Sequence, residues 1–139
     1  MKFQNIIPIC VLISLTACGP SSDEMNKKII KGCGAGVEHI LNHIQSDYSY
    51  VSLAKATVDR AGSVATVSMD ANVLYREFSE EEEAYTCVFH ETKNLMSSRA
   101  EIDYVEVEGR KYGRVNDKLT NLSVGEFSTF NEAVRLATR

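Results

Sequence analysis

Between Ile44 and Ser52 the apolar residues change their spacing, and that change divides the chain into a helix followed by a sheet. Upstream, Ile29, Ile30, Cys33, Val37, Ile40, Leu41 and Ile44 recur at intervals of three and four, so they share one stripe of an α-helix. Gly32, Gly34 and Gly36 interrupt the stripe, and each costs about 1 kcal/mol in a helix interior relative to alanine. Either the helix lies close against its partner at that turn, or it begins only after Gly36. The glycines lack the Lys-Ser/Thr ending of a phosphate loop.

Downstream the period is two. Residues 52–60 read as a first strand and residues 61–63 as a turn. A second strand over 63–76 sets Ala65, Val67, Met69, Ala71 and Val73 on one face and Thr66, Ser68, Asp70 and Asn72 on the other, the pattern of a half-buried antiparallel strand. Residues 77–82 read as an acidic turn, and a third strand over 83–92 turns Tyr85, Cys87 and Phe89 to one side. In a fourth, over 100–107, Ala100, Ile102 and Tyr104 oppose Glu101, Asp103 and Val105. Glu108-Gly109 is a hairpin signal leading into a fifth strand over 110–115, whose Arg110, Lys111 and Arg114 suit an exposed edge. Ser123 and Glu126 form a capping-box pattern, opening a last helix with Phe127, Phe130, Val134 and Ala137 on one face. The expected fold class is α+β: an N-terminal helix, an antiparallel sheet of four or five strands and a C-terminal helix, with both helices on one sheet face.

The first residues belong to a different kind of segment. Met1 and Lys2 give a short positive start, and Ile6 to Leu15 is apolar apart from Pro8, Cys10 and Ser14. A spanning helix needs about 20 apolar residues, so this run has the length of a signal-peptide core instead. Leu15-Thr16-Ala17-Cys18 then resembles a bacterial lipobox. That resemblance covers residues 1–18 only. It implies cleavage after Ala17, a diacylglyceryl group on Cys18 Sγ and acylation of the new amine, which together hold a domain on a bilayer surface. Gly19, rather than an aspartate, implies the outer membrane in the Gram-negative version. The expected division is a signal peptide over 1–17, a lipidated polar tether over 18–25 and one α+β domain over 26–139.

Removal of residues 1–17 leaves 122 residues, enough for one ordinary domain. With Lys2 gone, 14 Lys and Arg face 19 Asp and Glu, a net charge of −5 with histidine neutral. That balance disfavours nucleic acid and general attraction to anionic headgroups, and suits a cationic partner. With Cys10 removed and Cys18 lipidated, Cys33 and Cys87 remain. An exported domain with two leftover cysteines is expected to join them. The helical and alternating periods each turn one of this pair inward, so the bridge would staple the first helix to the third strand.

Few residues carry candidate chemistry. His39 and His43 are four apart on the first helix, a spacing that can share a metal, but the order Glu-His-x-x-x-His is no zinc-protease motif. Their place on the flank of the stripe suits two solvated histidines, and His90 is the one other histidine. Glu80, Glu81, Glu82 and Glu83 would share one solvated loop, which disfavours the split acidities of acid–base catalysis and suits partner docking or plain solubility. Tyr48 and Tyr50, between helix and sheet, suit packing or an aromatic surface. No Gly-x-Ser-x-Gly or Ser-x-x-Lys motif occurs. No catalytic residue, metal or cofactor is therefore expected. The favoured reading is a non-enzymatic, lipid-anchored envelope module that binds a protein, such as an inhibitor or immunity protein against a cationic envelope-attacking enzyme. The alternative is a structural or assembly lipoprotein of an envelope complex.

Overall fold

The glycines do not delay the first helix. In the computed structural model, which describes residues 22–44, 47–95 and 97–139, α1 spans Ser22–His43 and runs straight through Gly32, Gly34 and Gly36. The lipobox and Cys18 lie outside the described residues. Because α1 starts at Ser22, the last four residues of the expected tether are helical; Asp23 and Glu24 in the first turn favour an earlier start through the helix dipole.

Close packing explains the glycines. A methyl group on Gly36 would sit 3.2 Å from Phe130, 3.2 Å from Val105 and 3.3 Å from Ile102. One on Gly32 would meet Thr138 at 2.6 Å. The helix gives up intrinsic propensity and gains a close approach to both the sheet and the last helix.

The strands follow as β1 (Tyr48–Ala61), β2 (Val64–Tyr75), β3 (Ser79–Lys93), β4 (Ser98–Val107), β5 (Arg110–Val115) and β6 (Lys118–Thr120), and α2 spans Val124–Ala137. Among the described residues they form one antiparallel meander in chain order. Both helices cover one face of it, in an α+β architecture. A row of partners, Val67–Cys87–Val105–Tyr112, crosses four strands on that face and is buried throughout. Ile29, Cys33, Val37, Ile40 and Leu41 of α1 and Phe130 and Val134 of α2 close over it. Every core residue falls between Met25 and Val134. Cys33 and Cys87 are joined by a disulfide with a Cα separation of 5.7 Å, stapling helix to sheet.

Three features depart from the alternation. The first is β6: a two-residue turn at Asn116-Asp117, both with positive φ, brings the chain back onto β5. β5 is therefore an inner strand, and β6 is the edge. The second is the face of β4. Tyr104 pairs with Val88 and Ile102 with Phe89, which leaves Asp103 as the extra residue of a bulge. Past the bulge the phase inverts, so Val105 and Val107 point into the core with Ile102, while Tyr104 is only half-buried. Gly113 sits against this bulge at φ 134°; a Cβ there would run into the Asp103 carbonyl oxygen and lie 2.8 Å from Tyr104 Cα. The third is the acidic stretch. Only residues 76–78 turn, and Glu80–Glu83 belong to β3. The capping box is present: Ser123 Oγ accepts from the Glu126 amide at 3.2 Å, and a Glu126 carboxylate oxygen accepts from the Ser123 amide at 2.7 Å.

Candidate functional site

The order of the hairpins decides which charges share an end of the sheet. The turns after β2 and β4 lie at one end with the start of β1 and the last turn of α1. The turn after β1, the β3–β4 connection, the first turn of α1 and the end of α2 lie at the other.

The first end is acidic. Register places Glu81 opposite Val73 and Glu83 opposite Ala71, so both share the helix-covered face; Glu80 and Glu82 take the open face. The expectation of one shared solvated environment is thus corrected, because a strand divides consecutive residues between its two sides. Glu81 and Glu83 act on a pair of tyrosines. Burial first, and then the carboxylates of Glu81, Glu83 and Glu108, push the Tyr48 hydroxyl above its ordinary range. Tyr85, buried beneath, is raised by burial, Glu83, Tyr48 and Glu108. Both phenols stay protonated at neutral pH.

The hairpin itself is well held. Tyr48 and Tyr75 stack with ring centroids 5.0 Å apart, and the Arg76 guanidinium lies 5.1 Å from the Tyr75 ring centroid. The Arg76 amide donates to the Asp47 carbonyl at 2.7 Å, and the Phe78 amide to the Tyr75 carbonyl at 3.1 Å. Arg76 and Glu77 both adopt positive φ to make the three-residue loop. Phe78 at its tip is 94% exposed. Sequence reasoning passed over Phe78, although an aromatic inside an acidic turn is itself an outlier in composition. Tyr50 meets α1 near Gly34 and belongs to the joint between helix and sheet.

Two of the three histidines come together and the third does not. His39 is half-buried beside Phe130 and only partly solvated, while His43 is exposed; their rings are 4.8 Å apart. Burial, and then the neighbouring His43, lower the His39 pKa. His90 pairs with Val64 and Glu101 in the phase that faces away from the helices. Among the described residues no three His, Cys, Asp or Glu side chains group as metal ligands.

The second end carries both signs, with Asp23, Glu24, Glu91, Glu101 and Glu132 beside Lys28, Arg60, Lys93, Arg99 and Arg135. Arg60, Lys93 and Glu91 line a small cleft at the first turn of α1. Glu91 is buried and accepts from Arg60 Nε at 2.8 Å. This inward carboxylate was legible, since it continues the odd-numbered phase of Tyr85, Cys87 and Phe89. A larger cleft of about 510 Å³ opens between α1, the start of β4 and the end of α2. Lys28, Arg99, Arg135 and Arg139 line it together with Glu101. Arg135 is already held by Glu132 at 2.6 Å. No described helix is long and apolar enough to cross a membrane. No protein-family model matches the chain, and neither a curated protein nor a solved structure matches it.

Proposed function

We propose that the protein is a lipid-anchored module of the bacterial cell envelope, held on the outer membrane by acylated Cys18, that binds a protein without catalysing a reaction. The observation that carries this reading is the placing of the acidic hairpin at the end of the sheet opposite the first turn of α1. Cys18 precedes Ser22 by only four residues, so an acyl anchor there would keep the end where α1 begins near the bilayer and turn the acidic end away from it. Glu77 precedes the exposed Phe78 in the turn, and Glu80 and Glu82 follow it on the open face of β3, so an apolar side chain stands beside a run of negative charge. Such a surface steers toward a cationic partner and offers one aromatic hot spot for its pocket. An inhibitor or immunity protein acting on a basic envelope-attacking enzyme is the concrete form of this reading.

The test uses residues 18–139 with Cys18→Ser as bait in an envelope extract, followed by mass spectrometry. The expected result is one basic protein whose capture is lost with Phe78→Ser/Glu80→Gln/Glu82→Gln. Undiminished capture by that variant would remove the hairpin from the interface. Capture of membrane-assembly machinery through another surface would favour the scaffold reading instead.

A further inference from the structure

The two edges of the sheet are protected unequally. β6 closes one edge with 3 residues, whereas β1 forms the other with 14, and among the described residues no strand pairs with its outer side. A long open edge invites pairing with another chain, and bulges are one means of preventing it. β1 has bulges at Val51 and Ala54, where its register to β2 slips. Both lie in its first half. From Lys55 to Ala61 the pairing with β2 is regular, so the outer backbone groups of that stretch stand in an unbroken row. Its side chains alternate cleanly. Ala56 and Val58, half-buried, share the helix-covered side with Met69 and Val67, while Lys55, Thr57 and Asp59 are exposed on the open side. Lys55 and Asp59 hold no ion pair among the described residues.

We propose that this stretch of β1 pairs with the same stretch of a second copy of the chain, antiparallel, about a twofold axis at Thr57. An axis perpendicular to the joined sheet passes through one residue of the strand, and charge decides which. Centred on Lys55 or Asp59, the pairing sets like charges directly opposite, which destabilises it. Centred on Ala56 or Val58, it leaves Lys55 facing Thr57 or Ala61. Centred on Thr57, it sets Lys55 of each copy opposite Asp59 of its partner, twice by symmetry. Ala56 then faces Val58 twice on the helix-covered side, and the two threonines meet at the axis. In this register the stretch complements itself in charge and in apolar contact. One short strand pair lies at the small end of specific interfaces, so the association is concentration-dependent. Antiparallel pairing carries the two starts of α1 to opposite ends of the joined sheet. It therefore joins copies that face each other across a gap or are free of the bilayer, not neighbours anchored in one membrane. The contact uses neither Phe78 nor the glutamates beside it, so this assignment and the docking reading can fail separately.

The experiment is sedimentation equilibrium of residues 18–139 carrying Cys18→Ser, which retain every core residue, over a range of concentrations. A reversible monomer–dimer equilibrium is expected. Lys55→Asp and Asp59→Lys should each weaken it about tenfold, because symmetry turns two attractive pairs into two repulsive ones. Lys55→Asp/Asp59→Lys in one chain restores opposite charges in the same register and should return the dimer to wild-type strength. Thr57→Lys, which sets two ammonium groups at the axis, should also weaken it. Each variant should melt as the wild type does in dilute solution, where all are monomeric, since the three positions are exposed. Phe78→Ser/Glu80→Gln/Glu82→Gln should leave the dimer unchanged. A monomer at every concentration, single variants that associate like the wild type, or a double variant that does not recover would overturn the assignment. Loss of the dimer with the Phe78 variant would place the contact at the hairpin and overturn it as well.

Discussion

The two ends of this sheet are built from alternate turns of one meander and differ in what covers them. At one end α1 begins, α2 finishes, and an ion pair is folded inward with Glu91 buried against Arg60. At the acidic end the β2–β3 hairpin carries its carboxylates and Phe78 into solvent, stiffened by tyrosine stacking and a few turn hydrogen bonds. Covered regions are set by packing, so substitutions there should act on stability. Overhanging regions lack that constraint, and a large apolar side chain kept there is available for contact with something else.

The comparison can be broken from the covered side first. Cys33→Ala/Cys87→Ala removes a bridge across 54 residues and should cost about 4 kcal/mol, read as a lowered urea midpoint. Gly113→Ala should cost about 3 kcal/mol, because the new methyl meets Asp103 and Tyr104 backbone atoms, which cannot move aside as a side-chain end could. Arg60→Leu leaves Glu91 buried without its cation; since Arg60 keeps 27% side-chain exposure, the expected loss is about 2 kcal/mol by urea denaturation. On the other side, Phe78→Ser together with Glu80→Gln and Glu82→Gln should shift stability by no more than about 0.5 kcal/mol while abolishing capture of a partner. A large loss of stability there would show that the hairpin is structural and end the contrast.

The smallest effect concerns pH. The His39 pKa is lowered in the folded state, so between its folded and unfolded values the unfolded chain binds more protons and stability rises with pH. The melting temperature should therefore fall as pH drops from about 7 through the ordinary histidine range near 6.5, and His39→Gln should flatten that slope. An unchanged slope would place the pH response elsewhere.

Much of this architecture was legible before folding. The stripe on α1, the inner faces of β2 and β3 and the capping box of α2 are local periodicities, and each survives because one face of each element is buried. The disulfide was legible for the same reason, since two periods independently turned Cys33 and Cys87 inward. The missed features share a different cause. An extra residue at Asp103 reverses the facing of everything after it, and nothing in the alternation marks where a bulge falls. β6 is three residues long, too short for a period, and its Asn116-Asp117 turn was the one available signal. Glu80–Glu83 look like a loop by composition, yet pairing with β2 holds them in a strand.

The amino-acid sequence by itself determined the order of helix and strands, the inward faces and the cysteine pair, because those depend on spacing along the chain and on burial of one side. Only the tertiary structure decided where charge lies. Which hairpins share an end is a matter of strand pairing, and pairing gathers Glu80, Glu82 and Glu108 at one end. Electrostatic attraction weakens with distance and is screened within about 10 Å in salt. A partner therefore meets one end of this molecule, not its average.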